Sequence, residues 1–201
     1  MNLRLFSSLT FALALLAIPA PAAELAIGAK APEFQGLEGV DGKKVSLEDF
    51  KDAKVLIVCF HCNECPVATD YQGRYIEFVK KYQDKGVAFI AINCDIVNVD
   101  EENLKAMKAR AAEMKYNFPY VIDPTGKLAD EYTAKATPHL FVFDVQRKLQ
   151  YSGAFDDKQK REKVTKNYLV DAVDALLAGK TPALAKTKTF GCGIRNKPDE
   201  F

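Results

Sequence analysis

Cys62-Asn63-Glu64-Cys65-Pro66 places two thiols three residues apart. An apolar run, Val55 to Phe60, leads into them, and a segment of helical periodicity, Val67 to Tyr82, leads away. A strand that delivers a CxxC to the start of a helix is a chemical arrangement. The helix N-terminus carries unpaired N–H groups and partial positive charge, and both stabilise a thiolate. The thiolate is the form that exchanges disulfides or binds metal. Three uses are open for such a pair: redox dithiol, metal site, or structural thiols. Structural zinc needs two more good ligands, and the chain carries no second CxxC and no paired-histidine motif. The expectation is thiol chemistry with no metal and no cofactor beyond a redox-active Cys62–Cys65 disulfide. Gly-rich phosphate loops and CxxCH haem sites are absent from the sequence.

The neighbouring residues set expectations of their own. Glu64 lies between the thiols, where a carboxylate disfavours the thiolate and makes the pair a better reductant. His61 would oppose that effect if protonated. Cys59 lies inside the apolar run and reads as a buried small hydrophobe. Cys94, after the second strand, reads as structural, with a role as accessory thiol held open. Cys192 sits between two glycines near the C-terminus. It could return to the site as a resolving thiol, pair with Cys94, or bond another chain; an odd cysteine count demands some fate for it. His139 reads as structural, with an approach to the CxxC as the alternative.

These groups need elements to hold them. Val55 to Phe60 is continuous, apolar and β-branched, as a strand buried on both faces requires. Tyr71, Tyr75, Phe78, Val79 and Tyr82 recur at spacings of three and four, which marks the buried stripe of the following helix; Gly86 ends it. Val87 to Asn93 is a second buried strand. Asp100, Glu101 and Glu102 suit the N-terminus of a helix running to Lys115. A short strand (118–122), an Asp123-Pro124-Thr125-Gly126 turn and a short helix (127–133) follow. Ala136 to Asp144 reads as a strand with Pro138 near its start, and 149–155 as its hairpin partner. Val164 to Ala178 is a final amphipathic helix capped by Gly179, with charge-rich 158–166 as a solvated face. The order β–α–β–α–β–α–β–β–α implies three layers, α/β/α, around a mixed sheet, with the CxxC at its carboxyl edge.

Near its start the chain carries Arg4, an apolar stretch from Leu9 to Ile18, and small residues Ala20 and Ala22 in A-x-A relation. That pattern predicts a signal peptide over residues 1–22, cleaved after Ala22 or Ala23, and an exported protein, periplasmic or secreted. The expected layout is then one domain over 23–180 and a tail over 181–201 that contains Cys192. The full chain has 28 basic and 27 acidic residues. Loss of Arg4 with the leader balances them, which favours neither nucleic acid nor an anionic membrane surface as partner. Five cysteines are too few for a disulfide scaffold at this length.

The CxxC between strand and helix, with Thr137-Pro138 opening a later strand, resembles the thioredoxin fold. The fuller pattern is similar to thioredoxin/peroxiredoxin-like proteins of the AhpC/TSA (redoxin) superfamily, the subgroup with CxxCP. Tyr116-Asn117-Phe118-Pro119-Tyr120, then Asp123, Leu128, Ala129 and Tyr132, and Gly191-Cys192 near the C-terminus, complete the likeness. The resemblance implies an exposed nucleophile at Cys62 and a buried resolver at Cys65. Pro66 follows the pair, and a cis Pro138 across from it would offer the Thr137 backbone to a partner chain. It implies a protein disulfide or thiol as partner, with peroxide as the alternative substrate. In peroxiredoxins Cys65 would be the peroxidatic position, preceded by Pro and Thr. Here Val58 and Cys62 stand at those places, so the expectation is a dithiol reductant ahead of a thiol peroxidase. A Cu(I)-delivery role, with the two thiols and a distal histidine as ligands, is the third reading.

Overall fold

The apolar run 55–60 is buried at every residue and lies inside a seven-stranded sheet. The computed structural model describes residues 24–95 and 99–195. The expected leader, residues 1–22, and the last residues, 196–201, lie outside them. In chain order the elements are β1 (Leu37–Gly39), β2 (Lys44–Val45), β3 (Val55–Phe60), α1 (Pro66–Tyr82) and β4 (Val87–Asn93). Then come α2 (Val99–Glu102), α3 (Leu104–Met114), β5 (Tyr120–Ile122), α4 (Lys127–Tyr132), β6 (Ala136–Thr137) and β7 (His139–Phe143). The chain closes with β8 (Leu149–Gly153), α5 (Tyr168–Leu177) and β9 (Cys192–Gly193).

The sheet order is β2-β1-β5-β4-β3-β7-β8. β3, β4 and β5 run parallel; β1, β7 and β8 pair antiparallel with their neighbours, so the sheet is mixed as expected. Alternating side chains divide the core between two faces. Ile57, Cys59, Phe89 and Val142 meet Tyr71, Tyr75 and Phe78 of α1 and Leu169 and Val173 of α5. Leu56, Val58, Phe60, Ile90 and Phe141 meet Leu128 and Tyr132 of α4 on the other face.

Three differences from the sequence reading have local causes. The helix expected over 100–115 is broken at Asn103, whose side chain accepts from the Ala106 N–H at 3.0 Å and so starts α3 afresh. The strand expected over 136–144 is split at Pro138, which has no N–H for the ladder. The Thr137–Pro138 peptide is cis. Residues 181–195 pack against the sheet instead of trailing from it: Ser152 N–H donates to Ala185 O at 3.0 Å, and Thr187 N–H to Ser152 O at 3.1 Å. β9 then pairs antiparallel with β6.

Candidate active site

β3 ends at Phe60, and His61 N–H still bonds across to Ile92 O at 3.0 Å, so the CxxC leaves the sheet at its carboxyl edge. Cys65 is the N-cap of α1 and Pro66 its first residue. Proline fits there because that N–H has no helical partner to lose. The helix therefore opens directly beneath the second thiol.

Glu102 organises the loop between the thiols. It is 1 % exposed, and its two carboxylate oxygens accept from Asn63 N–H and Glu64 N–H, each at 2.8 Å. Asn93 Nδ2 donates to it as well, at 2.7 Å. Asn63 is pinned further, donating to Glu101 O at 2.8 Å and accepting from Tyr120 OH at 3.1 Å. Burial holds the Glu102 carboxyl above its ordinary value despite those bonds. Its oxygen, the Cys62 sulfur and an Asp95 oxygen lie within 4.8 Å of one another. Glu102 and Asp95 thus both bring a carboxylate close to Cys62, and the Glu102 charge is among the causes that raise its thiol. Glu64, to which the sequence assigned that effect, carries an ion pair with Arg195 at 3.0 Å.

Cys62 and Cys65 are each 2 % exposed, and the exposed nucleophile implied for Cys62 is not what the structure holds. β9 lies against Cys65, its Cys192 N–H 3.3 Å from that sulfur. Cys62 Sγ lies 3.0 Å from Thr137 Oγ1 and Cys65 Sγ 3.0 Å from the Thr137 carbonyl. The two thiols share a proton unevenly. Donation to Cys65, burial and the Glu102 charge push Cys62 up. Cys65 is pulled down by that same hydrogen bond, then by the Cys192 thiol and by the N–H groups of Ala68 and Cys192. The Thr137 carbonyl beside Cys65 opposes this, being an acceptor that favours the protonated thiol. The N–H donors and the helix terminus outweigh it, so the negative charge rests on Cys65.

The remaining expected residues fall into place around this centre. His61 is buried against Tyr75, Tyr116 and Tyr120. Burial, with Arg110 nearby, pushes it down to about 3, so it is neutral and does not counter a carboxylate at neutral pH. Pro138 follows Thr137, whose backbone is occupied by β9. Cys59 is fully buried, and burial pushes its thiol up to about 12. Cys94 is 1 % exposed and belongs to the opposite face of the core, packed with Leu56, Ile90 and Tyr132. It is therefore not brought to the pair. His139 is not brought there either: its Nδ1 accepts from Lys135 N–H at 3.2 Å and its Nε2 bonds Ser152 Oγ at 2.9 Å. A copper site using His139 with the two thiols is therefore not assembled. Cys192, by contrast, lies against Cys65. A cleft of about 400 Å3 opens beside the thiols, lined by Cys62, Glu64, Cys65, Asp95, Cys192 and Arg195.

Sequence reasoning missed Glu102, Asp95, Gly191 and Arg195 as parts of the site. Glu102 belonged to an acidic run whose helix-dipole role looked sufficient. Only the turn of α2 shows that it alone of the three points inward.

The sequence pattern of the AhpC/TSA family matches residues 27–152. A relative named thiol-disulfide oxidoreductase ResA, from Bacillus thuringiensis subsp. konkukian, is 29 % identical over 128 residues, 63 % of this chain and 68 % of its own. An uncharacterised protein from Geobacillus kaustophilus superposes with a TM-score of 0.81 at 34 % identity, over 90 % of this chain and 100 % of that one. A Chlorobium tepidum protein titled as a putative thiol:disulfide interchange protein DsbE superposes at 0.54, with 28 % identity, over 64 % of this chain and 85 % of that one.

Proposed function

The chain belongs to the AhpC/TSA family and is a thiol–disulfide oxidoreductase of thioredoxin/peroxiredoxin-like type with a thioredoxin fold; from that premise we propose that Cys62 and Cys65 reduce disulfides of protein partners outside the cytoplasm. The observation that carries this reading is the pair of thiols at a helix N-terminus, Cys65 at the N-cap and each sulfur 3.0 Å from an oxygen of Thr137. Cys62 attacks one sulfur of a partner disulfide as its proton passes to the Cys65 thiolate. A mixed disulfide forms at Cys62, and the partner's other sulfur leaves as a thiolate. That thiolate takes the proton from Cys65, and Cys65, a thiolate again, attacks Cys62 Sγ, forming the Cys62–Cys65 disulfide and releasing the partner's second thiolate. The dithiol loses two electrons and the partner disulfide gains them.

Glu102 biases the pair toward the reductant role. A buried carboxylate within 4.8 Å of Cys62 destabilises its thiolate. That penalty on the reduced pair favours its disulfide and biases the dithiol toward giving up electrons, while the stabilised Cys65 thiolate pulls the other way. Export is supported by the leader-like start of the sequence. Among the described residues no helix is long and apolar enough to cross a membrane.

Insulin-disulfide reduction with a dithiol donor tests the activity. The wild-type chain is expected to turn over, with Cys62→Ser and Cys65→Ser at background; equal rates for all three would refute the reading. A second reading, peroxide reduction through Cys65, is favoured by one observation, the preference for the thiolate at Cys65 directly before Pro66. Peroxide consumption that needs Cys65 but not Cys62 would establish it.

A further inference from the structure

Strand β9 occupies a built seat. Ala136 pairs with Gly193 and Thr137 with Cys192. Cys192 N–H points at Cys65 Sγ, 3.3 Å away, and the Cys192 thiol also hydrogen-bonds that sulfur. Anchors flank Cys192 on both sides. Before it, Gly191 (φ +149°) passes so close to the Thr137 carbonyl that any Cβ would overlap it. After it, Arg195 spans Asp95 at 2.8 Å and Glu64 at 3.0 Å. Phe190 adds a ring contact to Tyr71 at 6.0 Å. The outcome is an asymmetry of access: Cys62 and Cys65 are 2 % exposed, whereas Cys192 is exposed. A thiol can attack only a sulfur it can reach. With β9 seated, Cys192 is the sulfur most open to solvent, while Cys62 and Cys65 lie in the wall of the cleft.

We propose that Cys192 is the solvent-facing member of a three-thiol relay, in which Cys65 pairs alternately with Cys62 and with Cys192. The relay rests on the exchange reading above and adds a residue to it. In the oxidised protein the Cys192 thiolate attacks Cys65 Sγ. The Cys65–Cys192 bond forms, the Cys62–Cys65 bond breaks, and Cys62 leaves as a thiolate that takes up the proton Cys192 lost. No net oxidation occurs. An external thiol, small or on a protein, then attacks Cys192 as its thiolate and releases Cys65. A second external thiol displaces Cys192. Two external thiols become one disulfide, and the chain gains two electrons and two protons. The buried pair is thereby re-reduced without β9 leaving its seat.

The test is disulfide mapping of the full chain after oxidation with oxidised glutathione, acid quench and alkylation of free thiols. Wild type is expected to yield Cys62–Cys65 together with Cys65–Cys192. Cys62→Ser should yield Cys65–Cys192, and Cys192→Ser only Cys62–Cys65. Reduction of the oxidised protein by glutathione should be at least about tenfold slower in Cys192→Ser, because the entry sulfur is gone. If Cys62→Ser forms no Cys65–Cys192 bond while Cys192→Ser still forms Cys62–Cys65, the relay is overturned and the exchange reading stands. Equal reduction rates overturn the relay too. Should Cys62→Ser fail to fold, the wild-type map decides alone: no Cys65–Cys192 fraction overturns the proposal. Loss of the Cys62–Cys65 bond in wild type and in Cys192→Ser alike would instead sink the exchange reading.

Discussion

Replacing Glu102 with Gln removes one buried charge while keeping the side chain's shape. Its oxygen lies within 4.8 Å of Cys62 Sγ. At an effective dielectric of about 20, unit charges at that separation interact by about 3.5 kcal/mol, or about 2.5 pH units. Some of this is lost to relaxation, so the Cys62 pKa should fall by about 2 pH units in Glu102→Gln. Where the thiolate is populated, the midpoint potential should rise by up to about 60 mV, at 30 mV per 1.4 kcal/mol. The substitution also turns one accepting oxygen into a donor facing the N–H of Asn63 or Glu64, a mismatch of about 1–3 kcal/mol. Against that, the variant loses a buried charge. Glu102 is held above its unfolded value, so its contribution favours folding below about pH 4.3 and fades as pH rises through the folded value. Glu102→Gln should lack this dependence. The assay is peptide-resolved alkylation of Cys62 by iodoacetamide across pH, with circular dichroism as the control for folding. An unchanged or raised Cys62 pKa in a folded Glu102→Gln protein would refute the assignment of Glu102 as a residue that biases the potential.

Three further outcomes follow from the same geometry. Arg74 Nη1 lies 2.6 Å from Asp156 Oδ2 with both side chains buried, so Asp156→Asn strands a cation and should cost about 3–5 kcal/mol by urea unfolding; a loss below about 1 kcal/mol would contradict it. His61 and His139 are held down to about 3 and 4 by burial, against about 6.5 when unfolded. Their stabilisation is complete above about pH 6.5 and is lost as pH falls toward the folded values, about 5 and 3 kcal/mol respectively. Denaturation at pH 7.5 and pH 5 should show the drop, and His139→Asn should remove about half of it, the His61 share remaining; equal stabilities at the two pH values would argue against it. Gly191→Ala forces a Cβ onto the Thr137 carbonyl, so β9 should leave its seat and Cys65 should be alkylated at least about tenfold faster. An unchanged rate would mean that Gly191 does not hold the strand down.

The fold was legible because its core is written in period. Val55 to Phe60, Val87 to Asn93 and the Tyr71-Tyr75-Phe78-Tyr82 stripe are buried where their patterns require. The site was legible in its two thiols and in Thr137-Pro138, and not in what surrounds them. Glu64 adjoins the thiols in sequence, but Glu102, 40 positions from Cys62, holds the loop through backbone N–H groups that carry no sequence signal. His61 looked titratable because burial is invisible in a motif; in the fold three tyrosine rings enclose it. The segment after α5 looked like a loose tail for its Lys, Thr, Gly and Pro content. Its seat depends on long-range pairing with β6 and on Arg195 reaching Asp95, 100 positions away, and local composition records neither.

The central claim is that Cys62 and Cys65 exchange disulfides in that order. The most direct measurement is trapping with the full-chain Cys65→Ser variant, incubated with insulin or with extracytoplasmic extract and mapped by mass spectrometry. The account predicts a mixed disulfide on Cys62 that persists because the resolving thiol is gone. No adduct on Cys62, with insulin reduction undiminished in both Cys62→Ser and Cys65→Ser, would contradict it.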